Sequence, residues 1–258
     1  MVRRCDNGGM TLPDLSGKVA VVTGASRGLG AGLAEDFRGR GMRLALCARS
    51  APALEESEDV LCARVDVADR AAVDAFAAAA AERFGTLDLW INNAGVLEPI
   101  VPVRDLGGEA LRHHLDVNLF GVLWGSQAYL RHVAARDGEG VLINVSSGAA
   151  WGGYAGWAAY CMGKAAVDRL TETLALEERD RSGLRAYAVA PGIIDTDMQA
   201  LIRDCDEEVF PEVNKFLDYK AADDFNSCAF IAERMLQIAF DPAAEPAETT
   251  VRLPKEKV

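Results

Sequence analysis

Tyr160 and Lys164 stand four residues apart in the run Tyr160-Cys161-Met162-Gly163-Lys164. On a helix this spacing puts both side chains on one face, about one turn apart. A free phenol has a pKa of about 10 and is a poor base near neutrality. A neighbouring ammonium favours the phenolate and lowers that value. A tyrosine tuned in this way can give a proton to a carbonyl under reduction, or take one from an alcohol. Ser146-Ser147 ends an apolar run, and Ser147 lies 13 residues before Tyr160. Each of these features alone has a plainer reading: the pair as an amphipathic surface, the serines as a turn or helix cap.

A second group carries different chemistry. Thr23-Gly24-Ala25-Ser26-Arg27-Gly28-Leu29-Gly30 follows directly on an apolar run, Lys18–Thr23. Its glycines permit a tight turn and let backbone N–H groups approach a pyrophosphate, facing the positive start of the next helix. A carboxylate at the end of the second strand usually takes the ribose hydroxyls of NAD. Here that place falls to Ala48, with Arg49 next and Arg27 inside the glycine turn. Two guanidiniums can clamp a 2′-phosphate through charge-assisted, often bidentate hydrogen bonds.

The frame that must position these groups is read from composition and periodicity. The chain has 258 residues, half of them hydrophobic, which supplies the core of one large domain and excludes global disorder. Lys and Arg number 27 against 39 Asp and Glu, a formal net charge of −12. That charge repels phosphate backbones and anionic lipid, so neither nucleic acid nor a membrane is an expected partner. The first arginines lack a following apolar stretch, so a cytoplasmic protein is expected. Residues 1–15 are read as a flexible tail, with Met10 as a possible alternative start, and 16–258 as one catalytic domain. The six cysteines form no CxxC pair and read as reduced thiols, and no ligand cluster for a metal is visible.

Short β-branched runs alternate with helical patterns. Strands are expected at Lys18–Thr23, Arg43–Ala48, Val60–Val65, Leu87–Asn92, Val141–Ser146, Leu184–Ala190 and Thr249–Leu253. Helices are expected at Gly28–Gly41, Asp69–Phe84 with Asp69 as N-cap, Leu106–Ala135 as one long or two joined, Trp157–Asp180 and Asp223–Phe240. Residues 193–222 read as an irregular or short-helical substrate loop. Alternation of this kind predicts an α/β fold: a single-domain, Rossmann-type, doubly wound parallel sheet with helices on both faces.

Four motifs, in order, resemble the short-chain dehydrogenase/reductase family. They are the glycine turn, Asn92-Asn93-Ala94-Gly95 after the fourth strand, the Tyr160/Lys164 pair, and Pro191-Gly192 after the sixth strand. The resemblance spans about Lys18 to Leu253. It implies an oxidoreductase in which Tyr160 is the acid/base, Lys164 its partner, and Ser147 the hydrogen-bond partner of the substrate oxygen. Asn118, in Val117-Asn118-Leu119-Phe120-Gly121, matches the position that holds a water linking the lysine to solvent. The resemblance further implies a cofactor held by Gly24, Ser26, Arg27, Gly28, Leu29, Gly30 and Arg49. Asp66 and Val67 fall at the adenine, Asn93, Ala94 and Gly95 beside the turn, and Pro191, Gly192, Ile194 and Thr196 at the carboxamide. Members with two such arginines and no carboxylate prefer NADP(H), which is the expected cofactor.

Gly156–Ala166 and Ala190–Gln199 are similar to sepiapterin reductases, whose bacterial relatives reduce aromatic 1,2-diketones. Those reductases anchor a pterin with an aspartate near the C-terminus, and Thr249–Val258 contains none. The expectation is therefore an NADP(H)-dependent reductase of a small aromatic or vicinal-dicarbonyl ketone. Trp151, Tyr154, Trp157, Met198 and Leu201 are expected to line its pocket. A 3-oxoacyl or secondary-alcohol dehydrogenase remains an alternative, and a nucleotide sensor without turnover a third. The resemblance also implies a homodimer or homotetramer built on the helices at 106–135 and 157–180. His113, His114 and His132 are read as surface or interface residues, since adjacent histidines face different ways.

Overall fold

The computed structural model describes residues 12–136 and 138–257. Seven parallel strands form one sheet in the order β3-β2-β1-β4-β5-β6-β7. They are β1 (Val19–Thr23), β2 (Arg43–Ala48), β3 (Val60–Arg64), β4 (Leu89–Asn92), β5 (Glu139–Val145), β6 (Gly183–Ala190) and β7 (Thr250–Arg252). The chain winds outward from β1 to β3, then returns to the middle at β4 and winds the other way. The loops after β1 and β4 therefore diverge at the centre of the sheet, the place where doubly wound folds open a crevice.

Both faces are covered, and the strand sequences show why. In β1, Ala20 and Val22 enter the core under α1 (Gly28–Gly39) and α8 (Cys228–Phe240), while Val19 and Val21 enter the opposite core. In β4, Leu89 and Ile91 go one way and Trp90 the other. An uninterrupted apolar run is what a strand buried on two sides requires. Each fully buried Val, Leu or Ile stabilises the fold by roughly 1.5–3 kcal/mol before entropy is counted. The second core lies under α2 (Arg70–Phe84), α4 (Gly121–Ala134) and α5 (Ala158–Glu178). Asp69 caps α2 as expected, accepting from the backbone N–H of Ala71 and Ala72.

A third apolar cluster sits beyond the sheet. It joins Leu97, Ala149, Trp157 and Tyr160 to Ile202, Phe210, Val213 and Phe216. The last four come from or beside α6 (Asp197–Arg203) and α7 (Val213–Ala221), the short helices of the segment expected to be irregular or short-helical. One expectation needs correction. Leu15 is buried in the main core, so the packed domain begins before residue 16; residues 1–11, Met10 included, lie outside the described residues. The helical stretch over 106–135 is α3 (Gly108–Leu115) and α4 joined through a π-helical segment, Asp116–Phe120. Among the described residues no helix is long and apolar enough to cross a membrane.

Candidate active site

The glycine turn is built by β1 and fixed from β4. Gly24 and Gly28 have positive φ, +69° and +57°. A Cβ on Gly24 would stand 2.7 Å from Cα of Ala94, and one on Gly30 would stand 2.4 Å from the carbonyl oxygen of Gly24. Asn93 donates through Nδ2 to the carbonyls of Thr23 (2.9 Å) and Gly24 (3.3 Å). Thr23 Oγ1 in turn accepts from the backbone N–H of Asn93 and Ala94. The two loops at the switch point are thus one bonded unit. Helix α1 follows Arg27 as its N-cap residue, with no side-chain cap and no acidic residue in its first turn, which leaves N–H donors for an anion.

A cavity of about 770 Å³ opens here. The glycine turn, Ser26, Leu29, Arg49, Asp66 and Val67 line one end of it. Ser147, Tyr154, Trp157, Tyr160, Met198 and Leu201 line the other, and Asn93, Ala94, Gly95, Lys164, Pro191, Gly192, Ile194 and Thr196 lie between. Ala48 does end β2, as the sequence implied, and no carboxylate takes its place. Arg27 makes an exposed ion pair with Asp197 at 3.0 Å, joining the glycine turn to the first turn of α6.

Tyr160 and Lys164 share the first turns of α5 and both are buried. Lys164 Nζ donates to the carbonyl oxygen of Val145 at 2.7 Å and lies 5.7 Å from the centroid of the Tyr160 ring. Burial pushes the ammonium down to about 8, with Asp168 one turn further acting in the opposite sense. The phenol moves the other way from the sequence expectation. Burial raises the Tyr160 pKa, a hydrogen bond with Ser147 opposes this, and Cys161 adds to the rise. Lys164 Nζ is thus engaged by the Val145 carbonyl on the side of the Tyr160 ring.

The serines divide. Ser147 lies in the cavity wall, accepts from the Ala149 N–H at 3.2 Å and meets the phenol. Ser146 is turned into the interior, where its hydroxyl donates to the buried carboxylate of Asp168. Its other oxygen, Oδ2, is buried with no hydrogen-bond partner among the described residues. Trp151 is not part of the cavity lining: it is 47% exposed and its ring stands by Arg252, 5.8 Å from the guanidinium carbon. This corrects its expected place in the pocket.

Asn118 is fully buried in the π-helical segment and lies behind the cavity wall rather than in it. Its Oδ1 accepts from the Val96 N–H at 2.8 Å and its Nδ2 donates to the Val96 carbonyl at 2.7 Å. The same Nδ2 is 2.7 Å from His114 Nε2. His114 is therefore no surface residue. It has no exposed area, and its other nitrogen lies 2.7 Å from the Glu98 carbonyl oxygen. Helical spacing, position 114 being four before 118, was the available signal. Another residue outside the sequence reading is Asn226. Buried, it donates to the Pro191 carbonyl (2.9 Å) and the Pro254 carbonyl (3.2 Å), and so ties Pro191-Gly192 to the C-terminal segment.

The aromatic wall is continuous. Trp157 stacks on Phe210 with centroids 4.6 Å apart, meets Tyr160 edge-on at 5.7 Å and Tyr154 at 5.0 Å. Phe216 closes on Trp157 at 5.6 Å. A flat apolar ligand placed there would lie beside the Tyr160 hydroxyl and Ser147.

A doubly wound parallel sheet, with a glycine turn and a buried tyrosine–lysine pair opening into one cavity at its switch point, defines a dinucleotide-dependent oxidoreductase. Comparison with known proteins agrees: the short chain dehydrogenase family matches residues 18–207, and the chain belongs to that family. It is 40% identical over 196 residues to 3beta-hydroxysteroid dehydrogenase 1 of Eggerthella lenta, covering 72% of this chain and 74% of that one. It is 28% identical to the benzil reductase ((S)-benzoin forming) of Bacillus subtilis over 84% of this chain and 91% of that one. Among solved structures, the KRED1-Pglu enzyme superposes with a TM-score of 0.79 at 32% identity, covering 86% and 94% of the two chains. A 3-ketoacyl-(acyl-carrier-protein) reductase from Brucella melitensis, solved with NADH, gives 0.78 at 26% identity, covering 93% and 97%.

Proposed function

We propose that the chain is an NADP(H)-dependent carbonyl reductase of small aromatic or vicinal-dicarbonyl ketones. The observation that carries this reading is the meeting of Ser147, Tyr160 and the aromatic wall in the same cavity as the glycine turn. A bound nicotinamide supplies the hydride. Gly24, Gly28 and Gly30 let the backbone reach a pyrophosphate, and Arg27 and Arg49 take a 2′-phosphate in a place without a carboxylate. Ser147 orients the substrate oxygen, and Tyr160 delivers the proton to it. Lys164, joined to the Val145 carbonyl, holds positive charge near the base of that tyrosine. Asn118 fixes the Val96 backbone behind them.

The relatives named above include a benzil reductase, in line with a diketone, and a hydroxysteroid dehydrogenase, which favours a second reading as a secondary-alcohol dehydrogenase. A panel of benzil-like diketones, quinones, sepiapterin, acyl ketones and hydroxysteroids, run with NADPH and NADH, separates the two. Reduction of diketones with NADPH is expected, and Tyr160→Phe should lose at least about a hundredfold in kcat with NADPH binding kept. Turnover of that variant at the wild-type rate would remove the proposed acid. A cytoplasmic homodimer or homotetramer completes the reading. The association of copies is supported by Phe120 and Leu176, large apolar residues exposed at 40% and 62% on or beside α4 and α5. Light scattering at the mass of one chain would count against it.

A further inference from the structure

The substrate end of the cavity carries charge that the reading above does not use. Lys215, on α7, and Arg252, at the end of β7, both line the cavity. Neither forms an ion pair with a carboxylate among the described residues. Each stands by an aromatic ring, that of Tyr154 within the lining and that of Trp151 outside it. Lys215 Nζ lies 5.8 Å from the centroid of Tyr154, and the Arg252 guanidinium carbon lies 5.8 Å from that of Trp151. Cation–π contacts of exposed cations are weak and leave the charge unneutralised.

The sign of the cavity is opposite to that of the protein. The chain has net charge −12, yet its cavity is lined by Arg27, Arg49, Lys164, Lys215 and Arg252 against Asp66, Glu98 and Asp197. Asp197 is already paired with Arg27. Arg27, Arg49 and Asp66 lie at the glycine-turn end. Besides Lys164, the remaining cations of the lining are Lys215 and Arg252, and its one remaining carboxylate is Glu98, which is exposed. The wall adds an unused donor, since Trp157 Nε1 is buried with no partner among the described residues. The aromatic chain from Lys215 runs through Tyr154 and Trp157 to Tyr160, each ring within 5.7 Å of the next. A ligand spanning that wall would have a carbonyl at Tyr160 and its far end at Lys215, with Arg252 the other unpaired cation of the lining.

We infer that the substrate is an aromatic carbonyl compound that carries an oxyanion, a carboxylate in the simplest case, at the end remote from the reacting carbonyl, held by Lys215 and Arg252. Lysine and arginine bind carboxylates through charge-assisted hydrogen bonds, which strengthen away from bulk water. The inference rests on the carbonyl-reductase reading for the placement of the carbonyl, and on the cavity alone for the anion site.

The test uses 4-carboxybenzil and its methyl ester, two diketones that differ in one charge, with wild type and the Lys215→Met/Arg252→Gln double variant. In NADPH-dependent turnover, kcat/KM of wild type should favour the acid by about tenfold or more, and the preference should shrink on raising salt, as exposed charges are screened. The double variant should lower kcat/KM for the acid about tenfold more than for the ester. Equal or better use of the ester by wild type, or equal losses on both compounds, would overturn the anion site. Tryptophan-fluorescence titration of the unreacted protein with the same two compounds decides the site independently of turnover. Tighter binding of the acid, lost in the double variant, supports it even where neither compound is reduced; that outcome would overturn the reductase reading alone. Equal binding of acid and ester overturns the anion site whatever the rate.

Discussion

His114 Nε2 lies 2.7 Å from Asn118 Nδ2, and this contact settles the state of both side chains. The Glu98 carbonyl oxygen beside His114 Nδ1 can only accept, so Nδ1 carries the proton. Nε2 is left as the acceptor, and Asn118 donates to it. With its second N–H on the Val96 carbonyl and its Oδ1 on the Val96 N–H, the amide has one possible orientation. Burial, with Lys164 and His113 nearby, lowers the histidine pKa and keeps the ring neutral; only the Glu98 contact opposes this.

Removing the acceptor should loosen Asn118 and the Val96 backbone it supports, one layer behind the cavity. His114→Leu is expected to lower kcat by about 10- to 100-fold, the usual effect of misplacing groups near the reacting atoms. NADPH affinity should change much less. A matched loss in NADPH affinity would show a general collapse of the fold instead.

Gly30 should tolerate no side chain. Its Cβ would fall 2.4 Å from the Gly24 carbonyl oxygen and 2.5 Å from Asn93 Nδ2, both parts of the bonded unit at the switch point. Over-packing of this kind costs about 1–3 kcal/mol. Gly30→Ala is expected to lower Tm by several degrees and to weaken dinucleotide binding at least tenfold. Calorimetry and cofactor titration measure the two effects, and an unchanged protein would mean that the turn yields without cost.

The frame was legible because it rests on local pattern. Strands buried on both faces read as apolar runs, and the glycine turn, Pro191-Gly192 and the Tyr160/Lys164 spacing are each contained in a few residues. The parts that were missed depend on contacts between distant segments. His114 is buried because α3 packs on α5, and its sequence neighbour His113 remains exposed. Trp151 stands outside the cavity lining with its ring by Arg252 of β7, a residue far along the chain. The direction of the Tyr160 shift follows chiefly from burial, which a four-residue spacing does not contain.

Cofactor preference should turn on β2's last residue and its neighbour. The Arg27–Asp197 pair is exposed on both sides, so it is a weak hold that leaves Arg27 available to a phosphate. Arg49 is exposed at the cavity edge. A hydrogen bond to a charged group contributes about 1.5–3 kcal/mol, so Arg49→Gln should weaken NADPH by at least about tenfold while sparing NADH. Ala48→Asp places a carboxylate where it accepts from ribose hydroxyls and repels a 2′-phosphate. The double variant is expected to use NADH better than NADPH. Wild type already indifferent to the phosphate would refute the role given to the arginines.

Lys164 gives a pH dependence whose sign can be worked out. Burial lowers its pKa from 10.5 to about 8, the first cause by size, with Asp168 opposing. Between those two values the unfolded chain holds more protons than the folded one, so stability rises with pH across the window. The Asp168 carboxyl is shifted upward, chiefly by burial, and acts from the carboxylate range upward. There the folded state holds the extra proton and stability falls with rising pH, a slope of opposite sign. Other thiols and phenols titrate in the alkaline window too, so the informative quantity is the difference between wild type and Lys164→Met. Urea unfolding of the cofactor-free proteins should show wild type gaining on the variant from about pH 8 to pH 10. A difference that stays flat would mean that the lysine keeps its proton in the fold, paired more closely with Asp168 than the Val145 contact implies.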